Sequence, residues 1–427
     1  MEKLFVTGGA RLQGTVRISG SKNGALAIMA GALLASGRTT LRNVPKIGDI
    51  FTMVETLRSL GAEIETNGDW LSIDATNLTS CEAPYELVKQ MRASFCVLGP
   101  LVARLGRAKV AMPGGCDIGS RPIDYHVKGI QTLGAYVDTD HGYVYAESLR
   151  LRGAPIYLDF PSAGATQHLM TAACLAEGVT VIQNAAAEPE VVDLARFLTQ
   201  MGARIDGAGT TTVKITGVRE LHGVDYTIIP DRMEAGTFGI AAAITRGDVT
   251  VTAAAPEHLE PVLPKLQEVG ARIDAQNDSI HFRMVDRPLA TDIMTMPHPG
   301  FPTDMQQPMV ALLSVAEGTS VVTENVYERR FKYISELQRM GADIKQEGRT
   351  AIIKGMPQLT AAPVTATDLR AGAALVVAAL AAEGQTEIAG IEHIDRGYEN
   401  LVDKLCSLGA EIYRADSERR GTALCLA

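Results

Sequence analysis

Ser59–Ile64 reads SLGAEI, and Ser407–Ile412 reads SLGAEI again. Between them the phrase returns with small changes as TLGAYV, QMGARI, EVGARI and RMGADI. Its glycines are Gly61, Gly134, Gly202, Gly270, Gly341 and Gly409, spaced by 73, 68, 68, 71 and 68 residues. Repetition at a fixed period marks one supersecondary unit copied along a chain. Each phrase closes an amphipathic run such as PEVVDLARFLTQMG, whose apolar positions recur every three or four residues. Its glycine stands where a helix end needs a left-handed residue. Alternating stretches such as ARIDAQNDSIHF follow and predict strands.

A second phrase precedes each copy: ASGRTTL, RLGRAKV, AEGVTV, TRGDVTV, AEGTSV and AEGQTEI. Its glycines are Gly37, Gly106, Gly178, Gly247, Gly318 and Gly384, and they lie 24, 28, 24, 23, 23 and 25 residues before their partners. Each unit therefore reads as helix, strand, helix and strand pair, with a further strand leading in: six βαβαββ-like repeats. The first helix of each unit is apolar nearly all round, which predicts burial. A chain of 427 residues exceeds the usual size of one core, so six repeats divide as three per domain. The middle boundary falls near Pro230.

The second repeat is the long one, and its excess sits in PGGCDIGSRPID, residues 113–124. An insertion into one copy of a regular array tends to carry function. Glycines and Arg121 around Cys116 favour a thiolate, whereas the adjacent Asp117 favours the protonated thiol, a form suited to donating a proton. The other cysteines show neither CxxC pairs nor metal-ligand spacing. His126, His168, His298 and His393 are likewise not at metal-ligand spacing and read as structural.

Composition excludes other classes. Apolar residues make up 46% and charged residues 21%, and 40 basic against 49 acidic side chains give a net charge of −9. That balance argues against nucleic acid or an anionic membrane as partner. The N-terminal MEKLFVTGG has no signal-peptide apolar region, and the expected compartment is the cytoplasm.

Cations mark the starts of the apolar helices: Lys22 beside Asn23 in SGSKNGAL, Arg92 in QMRASF, and Arg370 in TDLRAGAA. Arg121, Arg330 and Arg396 come from loops. Helix starts attract anions, and burying several cations there calls for a compensating negative charge, which predicts a polyanionic ligand. Asp304 in FPTDMQQP has the form of a helix cap and, in this company, of a candidate base.

Together SKNGAL, QMRASF, PGGCDIGSRPID, SAGAT, GFPTDMQ, DLRAGAA and HIDRGYE resemble the UDP-N-acetylglucosamine 1-carboxyvinyltransferase (enolpyruvyltransferase) family, in the same order along the whole chain. The resemblance implies an α/β fold, a two-domain inverse α/β barrel (prism), with the active site in the interdomain cleft and neither a metal nor an organic cofactor. It implies one domain from residues 22–229 and a discontinuous second from 1–21 and 230–427. The implied reaction moves the enolpyruvyl group of phosphoenolpyruvate to the 3-hydroxyl of UDP-N-acetylglucosamine and releases phosphate, the first committed step of peptidoglycan synthesis. By this resemblance Lys22, Arg121 and Arg396 hold phosphoenolpyruvate, with Arg92, Arg330 and Arg370 extending the basic pocket. Asn23 contacts the sugar, and Val326 is a further substrate-binding residue. Arg121, Pro122, Ile123, Asp124 and Tyr125 frame the uridine, and Ser162, Ala163 and Gly164 offer backbone N–H groups to the diphosphate. Asp304 accepts the hydroxyl proton, and Cys116 protonates the methylene carbon and is the site alkylated by fosfomycin. The alternatives are 5-enolpyruvylshikimate-3-phosphate synthase, which shares fold and donor but lacks the cysteine loop, and an inactive regulatory paralogue that binds a sugar nucleotide.

Overall fold

The computed structural model describes residues 2–68, 70–114 and 123–416. The calls on Cys116, Asp117, Arg121 and Pro122 lie outside these residues. The described chain forms two compact units, one from residues 2–19 and 230–416, the other from 20–114 and 123–229. Each has its own continuous apolar core.

The repeat is visible in the backbone. All six LGA-type glycines have positive φ, between 88° and 110°, in the left-handed region that side chains with a Cβ rarely adopt. In the second set the fourth copy differs: Arg246 takes φ 53° in place of its neighbour Gly247. A long-chain residue therefore carries the turn there.

Each repeat owns a four-stranded sheet with one order. A lead strand runs parallel to the strand after the buried helix. That strand pairs antiparallel with the second arm of a hairpin, and the first arm forms the far edge. In the fourth repeat, Gln13–Arg17 pairs in parallel with Asp248–Thr252 (Val16 opposite Val251). The latter pairs antiparallel with Ser279–Arg283 (Val249 opposite Phe282), and Arg272–Gln276 closes the edge. In the sixth repeat the hairpin arm comes from the chain start: Glu2–Thr7 lies between Gln385–Ala389 and Glu411–Asp416. Two lead strands are exchanged. Gln13–Arg17 precedes the Lys22–Gly31 helix yet pairs with the fourth repeat, while Asp225–Thr227 precedes Arg232–Ile244 yet pairs with the first. Among the described residues the chain thus passes between units at Ser19–Gly20 and Ile229–Pro230.

Within the first unit the helices Arg232–Ile244, Thr303–Leu313 and Leu369–Ala381 pack on one another and on the strands of their own repeats. All of Arg232–Ile244 is buried, as expected for a helix with apolar residues on every side. In the second unit Ala163–Ala173 packs on Leu98–Leu105 and on Lys22–Gly31, and Lys22–Gly31 also packs on the Arg92–Val97 turn. The α/β, six-repeat architecture is therefore present. Among the described residues the sheets are open and none closes on itself, so the barrel of the sequence reading is one of separate sheets around helices.

Two local expectations need correction. Asp304 does not cap its helix: Pro302 is the cap residue and Asp304 is the second helical residue, which frees its carboxylate for other partners. The second buried helix does not begin at QMRASF. Arg92–Val97 forms a 3-10 turn, and the α-helix starts at Leu98.

Candidate active-site clusters

In the first unit, Thr303–Leu313 brings Asp304 to the start of a buried helix, and Leu369–Ala381 does the same for Arg370. Asp368 caps the latter, accepting from the N–H groups of Arg370 and Ala371 at 2.9 and 3.0 Å. The two starts meet. Arg370 Nε donates to Asp304 Oδ2 at 3.1 Å, and Arg330 Nη2 donates to Asp304 Oδ1 at 2.8 Å. Both guanidinium side chains are 3% exposed, whereas the carboxylate between them is 27% exposed. The cations are thus inside and the anion they hold is at the rim.

Burial opposes both cationic charges. For Arg370 the Tyr398 hydroxyl and the carboxylates of Asp304 and Asp231 outweigh that penalty, and for Arg330 Asp304 and Asp368 do so, so both pKa values lie above the ordinary arginine range. The Arg370 guanidinium stacks 5.3 Å from the Tyr398 centroid, and the Tyr398 hydroxyl lies 2.9 Å from Thr237 Oγ1. Arg396, two residues earlier, ends the short Glu392–Asp395 helix and is half-buried. Val326 is half-buried, and its N–H donates to the buried carboxylate of Glu324 at 2.8 Å.

In the second unit, Ser21 caps Lys22–Gly31 by accepting from Gly24 N at 3.3 Å. Lys22 Nζ lies 3.1 Å from Asp49 Oδ2, with side-chain exposures of 13% and 4%. Asn23 is exposed and Arg92 half-buried. Ile123, Asp124 and Tyr125 are half-buried at the start of Asp124–Thr132, and Ser162 caps the helix that begins Ala163, Gly164, accepting from Ala165 N at 3.3 Å.

The sequence argument looked to a ligand for the charge that balances these cations. In the structure Asp49 balances Lys22, and Asp304 balances Arg330 and Arg370. Asp49 and Tyr398 were missed, because a carboxylate in a first helical turn and a tyrosine in a loop look ordinary until the fold brings a cation to each.

The histidines read as structural also form a pair. His126 Nδ1 lies 3.0 Å from His168 Nδ1, both rings are buried, and Phe95 packs edge-on against His126. Gly164 leaves space beside them: a Cβ there would lie 3.8 Å from His126. His168 Nε2 has no partner among the described residues, so the least costly tautomer puts its proton on Nδ1, donating to His126.

Burial and then Arg92 depress His126 to about 3, and burial and then His126 hold His168 well below its usual value. Both rings are neutral when folded and titrate near 6.5 when unfolded, so the unfolded chain binds more protons below that pH. Stability is therefore full above about pH 6.5 and is lost as pH falls towards 3. Between pH 7.5 and 5.5 the pair's share of this loss is on the order of a few kcal/mol. Urea unfolding at both pH values, with and without His126→Gln and His168→Asn together, checks this. An equal pH loss in the variant would refute it.

The similarities of the chain agree with this architecture. The family model described as EPSP synthase (3-phosphoshikimate 1-carboxyvinyltransferase) matches residues 6–405. The solved structure of the enolpyruvyl transferase NikO from Streptomyces tendae superposes with a TM-score of 0.88 at 29% identity, covering 97% of this chain and 98% of that one. EPSP synthase from Acinetobacter baumannii gives 0.78 at 20% identity, covering 97% and 100%, a likeness of fold. The class is that of the two-unit α/β enolpyruvyl transferases.

"UDP-N-acetylglucosamine 1-carboxyvinyltransferase 2" of Carboxydothermus hydrogenoformans is 54% identical over 416 residues, 97% of this chain and 99% of the relative. The protein named UDP-N-acetylglucosamine 1-carboxyvinyltransferase in Nostoc sp. is 53% identical over 420 residues, 97% of this chain and 94% of the relative. The chain belongs to the EPSP synthase family and, within it, to the UDP-N-acetylglucosamine 1-carboxyvinyltransferases. Among the described residues no three metal-binding side chains gather, and no helix is long and apolar enough to cross a membrane.

Proposed function

We infer that this protein transfers the enolpyruvyl group of phosphoenolpyruvate to the 3-hydroxyl of UDP-N-acetylglucosamine, giving UDP-N-acetylglucosamine-enolpyruvate and phosphate. This is the first committed step of peptidoglycan synthesis, and the compartment is the cytoplasm. The observation that carries the mechanism is the carboxylate of Asp304, held at the rim by two buried guanidinium groups 2.8 and 3.1 Å away. A base in that setting is fixed in place yet reachable by a hydroxyl.

In the mechanism Cys116 donates its proton to the methylene carbon of phosphoenolpyruvate, leaving C2 with oxocarbenium character. The 3-hydroxyl oxygen bonds to C2 and gives its proton to Asp304. The tetrahedral adduct then loses a proton from the new methyl group and expels phosphate, which restores the double bond. Lys22, Arg121 and Arg396 hold phosphate and carboxylate oxygens as charge shifts, and Arg92, Arg330 and Arg370 add to the cationic field. Asn23 contacts the sugar and Val326 is a further substrate-binding residue, while residues 121–125 and 162–164 receive the nucleotide.

Phosphate release tests the reading. It is expected with phosphoenolpyruvate plus UDP-N-acetylglucosamine and absent with shikimate 3-phosphate as acceptor. Turnover only with shikimate 3-phosphate would favour the shikimate enzyme, from which the cysteine insertion, 28 residues against 24 in the flanking repeats, sets this chain apart. No release with folded protein would favour a binding role.

A further inference from the structure

Among the described residues the chain crosses between its units at Ser19–Gly20 and at Ile229–Pro230, and each crossing is pinned by a buried carboxylate that the mechanism does not use. At the first, Ser19 N donates to Glu234 Oε2 at 2.8 Å. The other oxygen of Glu234 receives Lys404 Nζ at 2.5 Å, and the same ammonium donates to Ser19 Oγ at 2.7 Å. Asp231 N donates to Ser19 O at 2.8 Å, so the last residue before the crossing is held on backbone and side chain alike. The side chains of Glu234 and Lys404 are 3% and 16% exposed.

At the second crossing Ile229 N lies 3.4 Å from Asp193 Oδ2, and the Tyr226 hydroxyl donates to Asp193 Oδ1 at 2.6 Å. Ile229 O accepts from Ser21 N at 2.7 Å, which ties this crossing to the residue that caps the Lys22 helix. Asp193 also lies close beside that helix: a Cβ at Gly24 would stand 3.2 Å from its Oδ2. The two arrangements match in kind. Each has one carboxylate, one backbone N–H at the crossing and one side-chain donor on the opposite oxygen.

We propose that Glu234 with Lys404, and Asp193 with Tyr226, are positioning residues that fix the backbone at both crossings and thereby set the placement of Lys22. The proposal rests on the reading in which Lys22 grips phosphoenolpyruvate. Keeping a carboxylate in such surroundings is costly. Burial, offset in part by Lys404, pushes Glu234 up to about 7, and burial, offset in part by Tyr226, pushes Asp193 up to about 6. Apolar replacements would avoid that cost but give up the fixed geometry, the trade that buried polar groups make where one conformation must be specified.

Two measurements on Lys404→Met and Asp193→Asn test it. In steady-state kinetics the KM for phosphoenolpyruvate is expected to rise about tenfold with a fall in kcat, while the KM for UDP-N-acetylglucosamine stays within about twofold; displacements near 1 Å are enough for such losses. Lys404→Arg, which restores a cation, should recover the wild-type constants. A variant that merely loses folded protein lowers kcat and leaves both KM values alone, and that result would overturn the proposal. Hydrogen exchange gives a reading independent of turnover: in Lys404→Met the amides of residues 19–24 should exchange at least about tenfold faster, with those of Thr350–Lys354 unchanged. Unchanged exchange at 19–24 overturns the clamp even if the wild type shows no enolpyruvyl transfer, whereas faster exchange without wild-type turnover counts against the functional reading alone. Should Lys404→Met fail to fold, Tyr226→Phe removes a single hydroxyl and carries the same expectations.

Discussion

Asp304→Asn is expected to lower turnover about 10³-fold while leaving UDP-N-acetylglucosamine binding measurable. Removing a positioned general base costs about 10²- to 10⁴-fold, and an amide cannot take the proton that the 3-hydroxyl must lose. The substitution also removes the negative charge that Arg330 and Arg370 share, and these cations are 3% exposed with nowhere to turn. Breaking a buried pair from one side destabilises by about 3–5 kcal/mol, and the 27% exposure of the carboxylate moderates this, so a lower melting temperature accompanies the kinetic loss. Arg330→Met separates the two effects. It disrupts the same cluster but keeps the carboxylate, so it should match the loss of stability with a smaller loss of turnover. Phosphate-release kinetics, calorimetry with the sugar nucleotide and thermal melts on both variants make the comparison. Asp304→Asn retaining more than about a tenth of wild-type turnover would remove the base from the mechanism.

Cys116→Ser is the second large effect. Donating a proton to carbon needs an acid matched to the task, and a serine hydroxyl is far weaker than a thiol with its ordinary pKa of about 8.5, so turnover should fall about 10²- to 10⁴-fold. The same change should abolish alkylation by fosfomycin, because a hydroxyl is a poor nucleophile at neutral pH. Mass spectrometry of the treated protein supplies internal controls. Burial pushes the Cys96 thiol up to about 11 and that of Cys174 to about 12, so neither presents a thiolate near neutrality, and their peptides should stay unmodified. An adduct persisting in the Cys116→Ser protein would place the reactive thiol elsewhere.

Much of this architecture was legible in residue order. The glycine in each LGA-type phrase announced a left-handed helix end, and all six adopt it. The all-round apolar runs announced buried helices because a helix with no polar face has nowhere else to go. The alternating stretches gave the hairpins for a similarly local reason, since a side-chain period of two suits only a strand. Start signals were read less well. Thr-Asp at 303–304 looks like a cap, yet Pro302 takes that place, because the carboxylate gains more from two guanidinium groups than from its own helix N–H groups.

Sequence alone determined the repeat count, the buried helices, the hairpins of the first five repeats, and the placement of Lys22 and Arg370 at helix starts, because these follow from local periodicity and from the backbone freedom of glycine. Tertiary structure decided which charge answers which. Asp49 meets Lys22, Asp304 meets Arg330 and Arg370, His126 meets His168, and Glu234 meets Lys404 across 170 residues of chain. Such pairings carry no periodic signature: they arise when packing of the apolar helices brings distant polar side chains into a space where water no longer screens them, and each must then find a partner.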